Sequence, residues 1–121
     1  MGKFVIEKTD AGFHFNLVAD NGQVVCTSQV YTSLDSCKNG IESVKTNAKA
    51  PVEDQTVDGF EALSAPKFEI YSDAADSFRF RLIAANGQNI AASQAYTTKQ
   101  SAQGGIDSIG ENAPKAEIVE E

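Results

Sequence analysis

Hydrophobic and polar residues alternate in two separate segments of the chain, and each segment ends in an Asn-Gly pair. The apolar members of the alternation are Phe13, Phe15, Leu17 and Ala19 in the first segment and Phe78, Phe80, Leu82 and Ala84 in the second. This alternation predicts a strand with one buried face. The pairs Asn21-Gly22 and Asn86-Gly87 predict a two-residue turn of type I′, with φ above zero at both residues. The sequence therefore predicts the same β-hairpin twice.

Further strands surround the first hairpin. A short strand from Lys3 to Lys8 precedes it and places Phe4 and Ile6 on one face. A third strand from Gln23 to about Gln29 is predicted to pair back onto the hairpin. Strict alternation would place Val25 and Thr27 on one face of this strand and Val24, Cys26 and Ser28 on the other. A fourth, shorter strand is predicted from Val52 to about Val57.

A helix is predicted between the third and fourth strands. Its apolar stripe consists of Cys37, Ile41, Val44 and Ala48, which are spaced at helical intervals. Thr32 is the predicted N-cap, with Asp35 three residues later, and Asn47 and Pro51 end the helix. Gly40 lies beside the stripe, where it costs about 1 kcal/mol relative to alanine. We therefore expect the helix backbone to approach the sheet closely at this position.

The second half of the chain repeats the first. With an offset of 65 residues, 17 of the 36 positions from 13 to 48 are identical to their counterparts. The second helix repeats the apolar stripe with Ala102, Ile106, Ile109 and Ala113, after a predicted cap at Thr97 and Gln100, and Ile118 and Val119 match the last strand. Such agreement at one fixed offset indicates an internal duplication. We assign one domain, 1–121, with a first repeat at 3–57, a connector at 58–66 and a second repeat at 67–121.

One β-β-β-α-β repeat covers its own sheet poorly, because a single helix shields only part of one face. Two repeats that join edge to edge can share a core. The predicted fold class is therefore α+β, with one antiparallel sheet of about eight strands, two helices packed on one face, and approximate two-fold symmetry between the repeats.

Charge is unevenly distributed along the chain, whose formal net charge is −7. The segment 51–66 has four acidic residues and no basic residue, and the tail 114–121 has three acidic residues and one lysine. This acidity disfavours nonspecific binding to nucleic acid, which needs an excess of lysine and arginine. The chain has no apolar run of about 18 residues and does not begin like a signal peptide. We expect a cytoplasmic monomer with no membrane partner.

The repeated motifs resemble those of the YegP-like family of small, mostly bacterial proteins. In the second repeat these motifs are Lys67-Phe68-Glu69-Ile70-Tyr71, Phe78-Arg79-Phe80-Arg81-Leu82, Asn86-Gly87-Gln88, Ser93-Gln94-Ala95-Tyr96-Thr97 and Gly105-Ile106-Asp107-Ser108-Ile109. The resemblance implies that the last strand of each repeat is exchanged, so that the strand near 52–57 pairs with the other half. It also implies that one-repeat members dimerise. It supplies no functional residues, because the family's biochemical role is uncharacterised.

Residues with reactive side chains are better explained as structural. Cys26 and Cys37 align with Ala91 and Ala102, so we interpret both cysteines as small buried residues, with a spacing that matches no zinc motif. His14 is the only histidine, and we interpret it as a partly exposed sheet residue. The acidic residues Glu53, Asp54, Asp58 and Glu61 lack calcium-loop spacing and are expected to form a solvated connector. We predict no catalytic residue, no metal site and no cofactor.

The candidate binding surface is the sheet face opposite Phe78, Phe80 and Leu82. It is predicted to present Tyr71, Arg79 and Arg81, beside His14 and Asn16 of the first repeat. An open face with two arginines and an aromatic ring suits stacking and phosphate contacts, although the wet face of an antiparallel sheet has the same pattern.

These residues favour a non-enzymatic module that binds an unknown protein through the open face. A weak nucleic-acid binder that uses Tyr71, Arg79 and Arg81 is the alternative, and a small-molecule enzyme is less favoured because no acid and base pair is available. A ligand pocket between the helices would be lined by Ile41, Val44, Ile106 and Ile109, which core packing explains better.

Overall fold

A computed structural model describes residues 2–120. The strands are β1 (Lys3–Thr9), β2 (Gly12–Val18), β3 (Val24–Thr27), β4 (Val52–Asp54), β5 (Lys67–Ser72), β6 (Phe78–Ile83), β7 (Asn89–Ala92) and β8 (Glu117–Glu120). The helices are α1 (Leu34–Asn47) and α2 (Lys99–Asn112), and a short 3₁₀ turn at Ala113–Lys115 follows α2. The element order is therefore the same in both repeats.

All eight strands form one sheet in the order β4-β5-β6-β7-β3-β2-β1-β8. This order reads the same from either end once each strand is replaced by its counterpart in the other repeat, so the sheet has the predicted pseudo-two-fold symmetry. The repeats join edge to edge between β3 and β7, where Thr27 pairs with Ala92. The prediction of one sheet of about eight strands with two helices is confirmed. Its six central strands are antiparallel, whereas the two edge pairs are parallel.

The parallel pairs come from strand exchange, as the family resemblance implied. Strand β4 of the first repeat pairs with β5 of the second, and β8 of the second repeat pairs with β1 of the first. Each exchanged strand also forms an ion pair with a helix of the repeat that it joins. Asp54 lies 2.9 Å from the Lys99 ammonium group, and Glu120 lies 3.1 Å from that of Lys38. Each repeat is thus completed by a strand from the other.

The core lies between the helices and one face of the sheet. Its largest fully buried side chains come from alternate positions of equivalent strands, namely Phe4, Ile6, Phe15 and Leu17 in the first repeat and Phe68, Ile70, Phe80 and Leu82 in the second. The predicted helix stripes are buried against them. Both helices therefore shield one face of the sheet and leave the other face open.

Each helix approaches the sheet closely at the predicted glycine. A Cβ added to Gly40 would lie 2.3 Å from the Tyr31 hydroxyl oxygen and 3.2 Å from a ring carbon of Phe15. The rings of Phe15 and Tyr31 stack with centroids 6.4 Å apart. Gly105, Tyr96 and Phe80 repeat this arrangement. The helix thus needs glycine because an aromatic ring occupies the space of a side chain.

Both predicted helix caps are one residue too early. Ser33 and Thr98, rather than Thr32 and Thr97, are the N-caps, and their hydroxyls accept hydrogen bonds from the backbone amides of Ser36 and Ser101. Two adjacent hydroxyl residues precede each helix, and either could cap it.

The hairpin turn and two strands also differ from prediction. Gly22 has φ of 85°, but Asn21 does not have positive φ, and the Gly22 amide donates to the Ala19 carbonyl. This four-residue turn replaces the predicted type I′ turn. A register shift between Leu17 and Val18 breaks the alternation in β3, so Val25 and Cys26 are both buried. Strand β4 ends at Asp54, whose carboxylate accepts from the Thr56 amide, instead of reaching Val57.

Among residues 2–120, no helix is both long and apolar enough to cross a bilayer.

Candidate functional site

The predicted binding residues on the second half of the open face lie together, but their charges are compensated. The Arg81 guanidinium lies over the Tyr71 ring, 4.4 Å from its centroid, and its Nε donates to the Glu69 carboxylate. The Arg79 Nε donates to Asp73 at 2.8 Å and lowers the pKa of that carboxyl group. Because each arginine already binds a carboxylate, neither presents an uncompensated charge to phosphate.

A chain of ion pairs extends from Arg81 across this half of the face. Glu69 also binds Lys67 at 3.0 Å, and Lys67 binds Glu53 at 2.8 Å. Burial raises the pKa of Glu69, but the hydrogen bonds from Arg81 and Lys67 outweigh it and leave the pKa lowered. The four side chains alternate in sign, so the network has no net charge.

The expectation that the acidic cluster is a solvated connector is wrong for Glu53. Only 2% of this residue is exposed, and its carboxylate accepts from the Leu63 amide and the Gln55 carboxamide, both at 2.6 Å. The hydrogen bond from Lys67 is the main reason that the pKa of Glu53 falls to about 2. Asp54 is also paired, whereas Asp58 and Glu61 are exposed as expected. Glu53 thus anchors the connector beside the sheet.

His14 and Asn16 lie on the same face but in the other half. His14 Nε2 lies 2.9 Å from Glu7, and the Asn16 carboxamide contacts both Glu7 and Thr27. Strands β3 and β7 separate this pair from Arg79 and Arg81 on β6. Three strand spacings amount to about 14 Å. The five predicted residues therefore form two groups rather than one site.

The remaining reactive groups offer little chemistry. Cys26 and Cys37 are free and buried, as predicted, and burial raises the pKa of the Cys26 thiol to about 12 and also raises that of Cys37. The described residues contain no cluster of three or more histidine, cysteine or acidic side chains that could hold a metal ion. Of the residues considered for a pocket between the helices, Ile41, Val44 and Ile109 are fully buried in the core. Ile106 belongs to the same core but also lines a cleft of about 630 Å³ between the end of α1 and α2.

Two clefts at the junction of the repeats were not predicted. The first seam cleft has a volume of about 470 Å³ and lies between the β2–β3 hairpin of the first repeat and α2 of the second. Its hairpin wall consists of Ala19, Asn21, Gln23, Val24 and Val25. The other wall, called the helix wall, is formed by α2 and the segment that precedes it. It consists of Gln94, Tyr96, Ser101, Gly104, Gly105 and Ser108. Each repeat therefore contributes one wall.

The second seam cleft is the symmetry counterpart of the first and has a volume of about 370 Å³. Its hairpin wall consists of Ala84, Asn86, Gln88 and Ile90, and its helix wall of Gln29, Tyr31, Ser36, Asn39, Gly40 and Ser43. Every one of these ten residues is related by the 65-residue offset to a residue of the first cleft. Eight of the ten pairs are identical; the exceptions are Val25 with Ile90 and Gly104 with Asn39. Over all positions from 13 to 48, only 17 of 36 pairs are identical.

The tyrosine of each cleft interacts with the glutamine two residues before it. Burial raises the pKa of Tyr31, and the Gln29 side chain acts in the opposite direction. Tyr96 and Gln94 repeat this relationship, and a cysteine also raises the pKa of each tyrosine, namely Cys37 for Tyr31 and Cys26 for Tyr96. The Tyr31 hydroxyl is itself buried and has no hydrogen bond of normal geometry. Among the described residues, the second seam cleft thus contains one buried polar atom without a hydrogen-bond partner.

Comparison with known proteins agrees with the duplicated architecture. The family described as "Domain of unknown function (DUF1508)" matches the chain twice, at residues 9–54 and 73–120. The chain belongs to the DUF1508 family. A UPF0339 protein in the ptx operon 5′ region of Stutzerimonas stutzeri is 37% identical over 120 residues, which cover 98% of this chain and 96% of the relative.

Other DUF1508 relatives illustrate both the repeat and the fold. A UPF0339 protein of Treponema denticola is 52% identical over 56 residues, which are 46% of this chain but 97% of the relative. The solution NMR structure of yegP from E. coli, a protein of unknown function, is similar with a TM-score of 0.81 and 32% identity, and the match covers 98% of this chain and 91% of that one. The family is therefore established, and its function is unknown.

One feature of the sequence points to the seam clefts, namely the exposed residues that are identical in both repeats. Among exposed positions of the first repeat, the identical residues other than glycine are Asn21, Gln23, Gln29 and Thr32, and three of these four line the clefts. Sequence comparison of the repeats identified these positions as identical. Only the fold brings them together, because each cleft combines residues that are far apart in the chain.

Proposed function

We propose that this DUF1508 protein is a non-enzymatic, cytoplasmic binding module and that the two seam clefts are its binding sites. This proposal rests mainly on one observation: at eight of the ten equivalent lining positions, the two clefts have the same amino acid. After a duplication, exposed polar residues diverge unless something constrains them. The two free cysteines are consistent with a reducing compartment.

The glutamines support this proposal most directly. Asn21 and Asn86 have a structural role, because each side chain accepts from the backbone amide two residues later. Ser43 and Ser108 are bonded by the helix-terminal Asn47 and Asn112. The exposed glutamines of the clefts interact with other cleft side chains instead of with the backbone of the hairpin or the helix. Gln29 and Gln94 act on the cleft tyrosines, and Gln88 accepts from the Asn86 carboxamide at 3.4 Å. Their identity in both repeats therefore supports a common constraint on the side chains of the clefts. These glutamines are Gln23, Gln29, Gln88 and Gln94.

A fragment screen followed by ¹H–¹⁵N NMR tests this function. The library contains neutral amides, alcohols and heterocycles together with organic acids and amines. We expect at least one chemical class to shift the amide signals of both seam clefts, since the two sites are equivalent. Shifts confined to other surfaces, or no shifts from any class, would contradict the proposal.

A protein partner on the open face is a second candidate. The stacked pair of Tyr71 and Arg81 favours it, because tyrosine and arginine are enriched among the residues that dominate binding energy at interfaces. The test compares proteins captured from cell extract by the wild type and by an Arg79→Glu/Arg81→Glu variant. A captured protein is then purified and its affinity for each form is measured. Equal affinity for the wild type and the variant would exclude the open face as its binding site.

Nucleic acid is the less favoured ligand of the open face. Both arginines are paired with carboxylates, and the formal net charge of the chain is −7. Titration with a single-stranded RNA oligonucleotide at low salt is therefore expected to give no binding. Affinity that decreases steeply as salt increases would instead support this alternative.

A further inference from the structure

The seam clefts differ in charge from the other clefts of the described residues. None of the residues lining either seam cleft is charged, although 22% of the chain is. Three other clefts each contain at least three charged side chains. A charged ligand group placed against an uncharged wall loses hydration without gaining an ion pair. The lining therefore selects a ligand without net charge.

The polar groups that line the clefts are carboxamides and hydroxyls. Glutamine and asparagine supply both donors and acceptors, and the hydroxyls of serine and tyrosine can do either. A ligand that matches such a wall must also donate and accept at neighbouring positions. Alcohol hydroxyl groups have this property, and several adjacent hydroxyl groups on a small ring match it at several points. The side chains of Val25 and Ile90 add an apolar surface in equivalent positions.

The position of the clefts argues against an extended peptide. Peptide main chains are commonly recognised by an exposed sheet edge. The edges of this sheet are β4 and β8, whereas the clefts lie at the centre, beside the β3–β7 junction. Volumes of 470 and 370 Å³ are at the lower end of the range of about 300–1,000 Å³ for small-molecule sites. They suit a monosaccharide or disaccharide.

We propose that each seam cleft binds a neutral, hydroxyl-rich small molecule of the sugar or polyol class, so that one chain has two equivalent sites. This ligand assignment rests on the proposed function, namely that the seam clefts are binding sites. Gln23 and Gln94 contact the ligand in the first cleft, and Gln88 and Gln29 contact it in the second.

The test uses matched neutral and charged sugars in ¹H–¹⁵N NMR titrations. Glucose is compared with glucose 6-phosphate, and N-acetylglucosamine with glucosamine, while inositol represents the polyols. Concentrations extend to about 10 mM, so that a ligand with a Kd of about 1 mM is detected. We expect glucose, N-acetylglucosamine or inositol to shift the amides of Gln23, Gln29, Gln88 and Gln94. We also expect the charged counterparts to bind at least about tenfold more weakly, a difference of about 1.4 kcal/mol.

Each cleft serves as the internal control for the other. A Gln29→Ala/Gln88→Ala variant is expected to lose shifts in the second cleft and keep those in the first. Gln100→Ala, which removes an exposed glutamine outside both clefts, is expected to change neither. Unchanged affinity in the double variant would overturn the assignment of these side chains.

Failure of the ligand assignment can be distinguished from failure of the proposed function. If the neutral probes cause no shifts, or the charged sugars bind equally well, the sugar or polyol assignment is wrong. If an acid, amine or heterocycle from the fragment library still shifts both clefts, the binding function stands with a different ligand. If nothing in either experiment shifts them, both proposals fail.

Discussion

The Glu53 carboxylate lies 2.8 Å from the Lys67 ammonium group, which links an exchanged strand of the first repeat to a strand of the second. Both side chains are nearly covered, at 2% and 14% exposure. Hydrogen bonds from the Leu63 amide and Gln55 complete the environment of the carboxylate. This pair therefore joins three segments: β4, β5 and the connector.

Replacing Glu53 with glutamine tests this role. Glu53→Gln removes the charge that Lys67 and the Leu63 amide bind, and we expect a loss of about 1–3 kcal/mol at neutral pH. Urea denaturation of wild type and variant measures the loss. Asp58→Asn is the matched control, because Asp58 is an exposed acid of the connector, and it is expected to change stability little.

The difference between wild type and Glu53→Gln is expected to depend on pH. The pKa of Glu53 in the folded protein is about 2, below its ordinary value of 4.5. A group with a lowered folded pKa contributes stability that is complete above the unfolded pKa and disappears as pH falls through the folded value. The advantage of the wild type should therefore decrease between about pH 5 and pH 2. A constant difference across this range would contradict the lowered pKa.

Two adjacent glycines of α2 are expected to respond oppositely to alanine. A Cβ at Gly105 would lie 2.6 Å from the Tyr96 hydroxyl oxygen and 2.7 Å from a ring carbon of Phe80, whereas a Cβ at Gly104 would meet nothing within 4 Å. Overpacking costs about 1–3 kcal/mol and the gain in helix propensity is about 1 kcal/mol. Thermal unfolding should therefore show Gly104→Ala to be stabilised and Gly105→Ala to be destabilised. Equal stabilisation of the two variants would contradict this prediction and would mean that the Tyr96 side chain moves to accommodate the added methyl group.

The two cysteines are expected to be unreactive in the folded protein. Both are buried, and the raised pKa of Cys26, about 12, keeps its thiol protonated at neutral pH. Labelling with a disulfide reagent should be slow until denaturant is added. Because Ala91 and Ala102 occupy the equivalent positions, a Cys26→Ala/Cys37→Ala variant should still fold. Rapid labelling of the native protein would contradict this prediction.

A single repeat is expected to dimerise rather than fold alone. In a chain of residues 1–66, β1 would lack β8, and β4 would lack its partner β5. Two copies can supply the missing strands to each other, and the Treponema denticola relative spans about one repeat. Sedimentation should therefore show a dimer for residues 1–66 and a monomer for the full chain. A folded monomer of the single repeat would show that strand exchange is not required.

The regular elements could be predicted because their signals are local. The alternation around Phe15 and Phe80 and the helix stripe of Ile41 are sufficient to identify the core faces, and all three residues belong to the buried core. Errors arose where neighbouring residues had equivalent properties, as at Thr32 and Ser33, or where a register shift buried both Val25 and Cys26.

The candidate sites were harder to predict because they depend on distant residues. The acidic pattern around Glu53 is the same in a solvated loop as in a buried ion pair, and only the return of the connector past Leu63 distinguishes them. The predicted arginines lie where expected, but their pairing with Asp73 and Glu69 was not apparent. For Gln23 and Gln94, repeat identity was visible, whereas the cleft that unites them requires the edge-to-edge junction.

The pairing of β1 with β8 brings Lys3 beside Glu117 in adjacent strands. Because these strands are parallel, Glu120 at the end of β8 lies beside Ile6, three residues beyond Lys3. Parallel neighbours need a crossover connection, and a linker about as long as the segment between β4 and β5 could close the backbone into a ring. Opening that ring at the exposed Gly59 would give a circular permutant in which the second repeat is translated first. The order of the two repeats in the gene is thus independent of their arrangement in space.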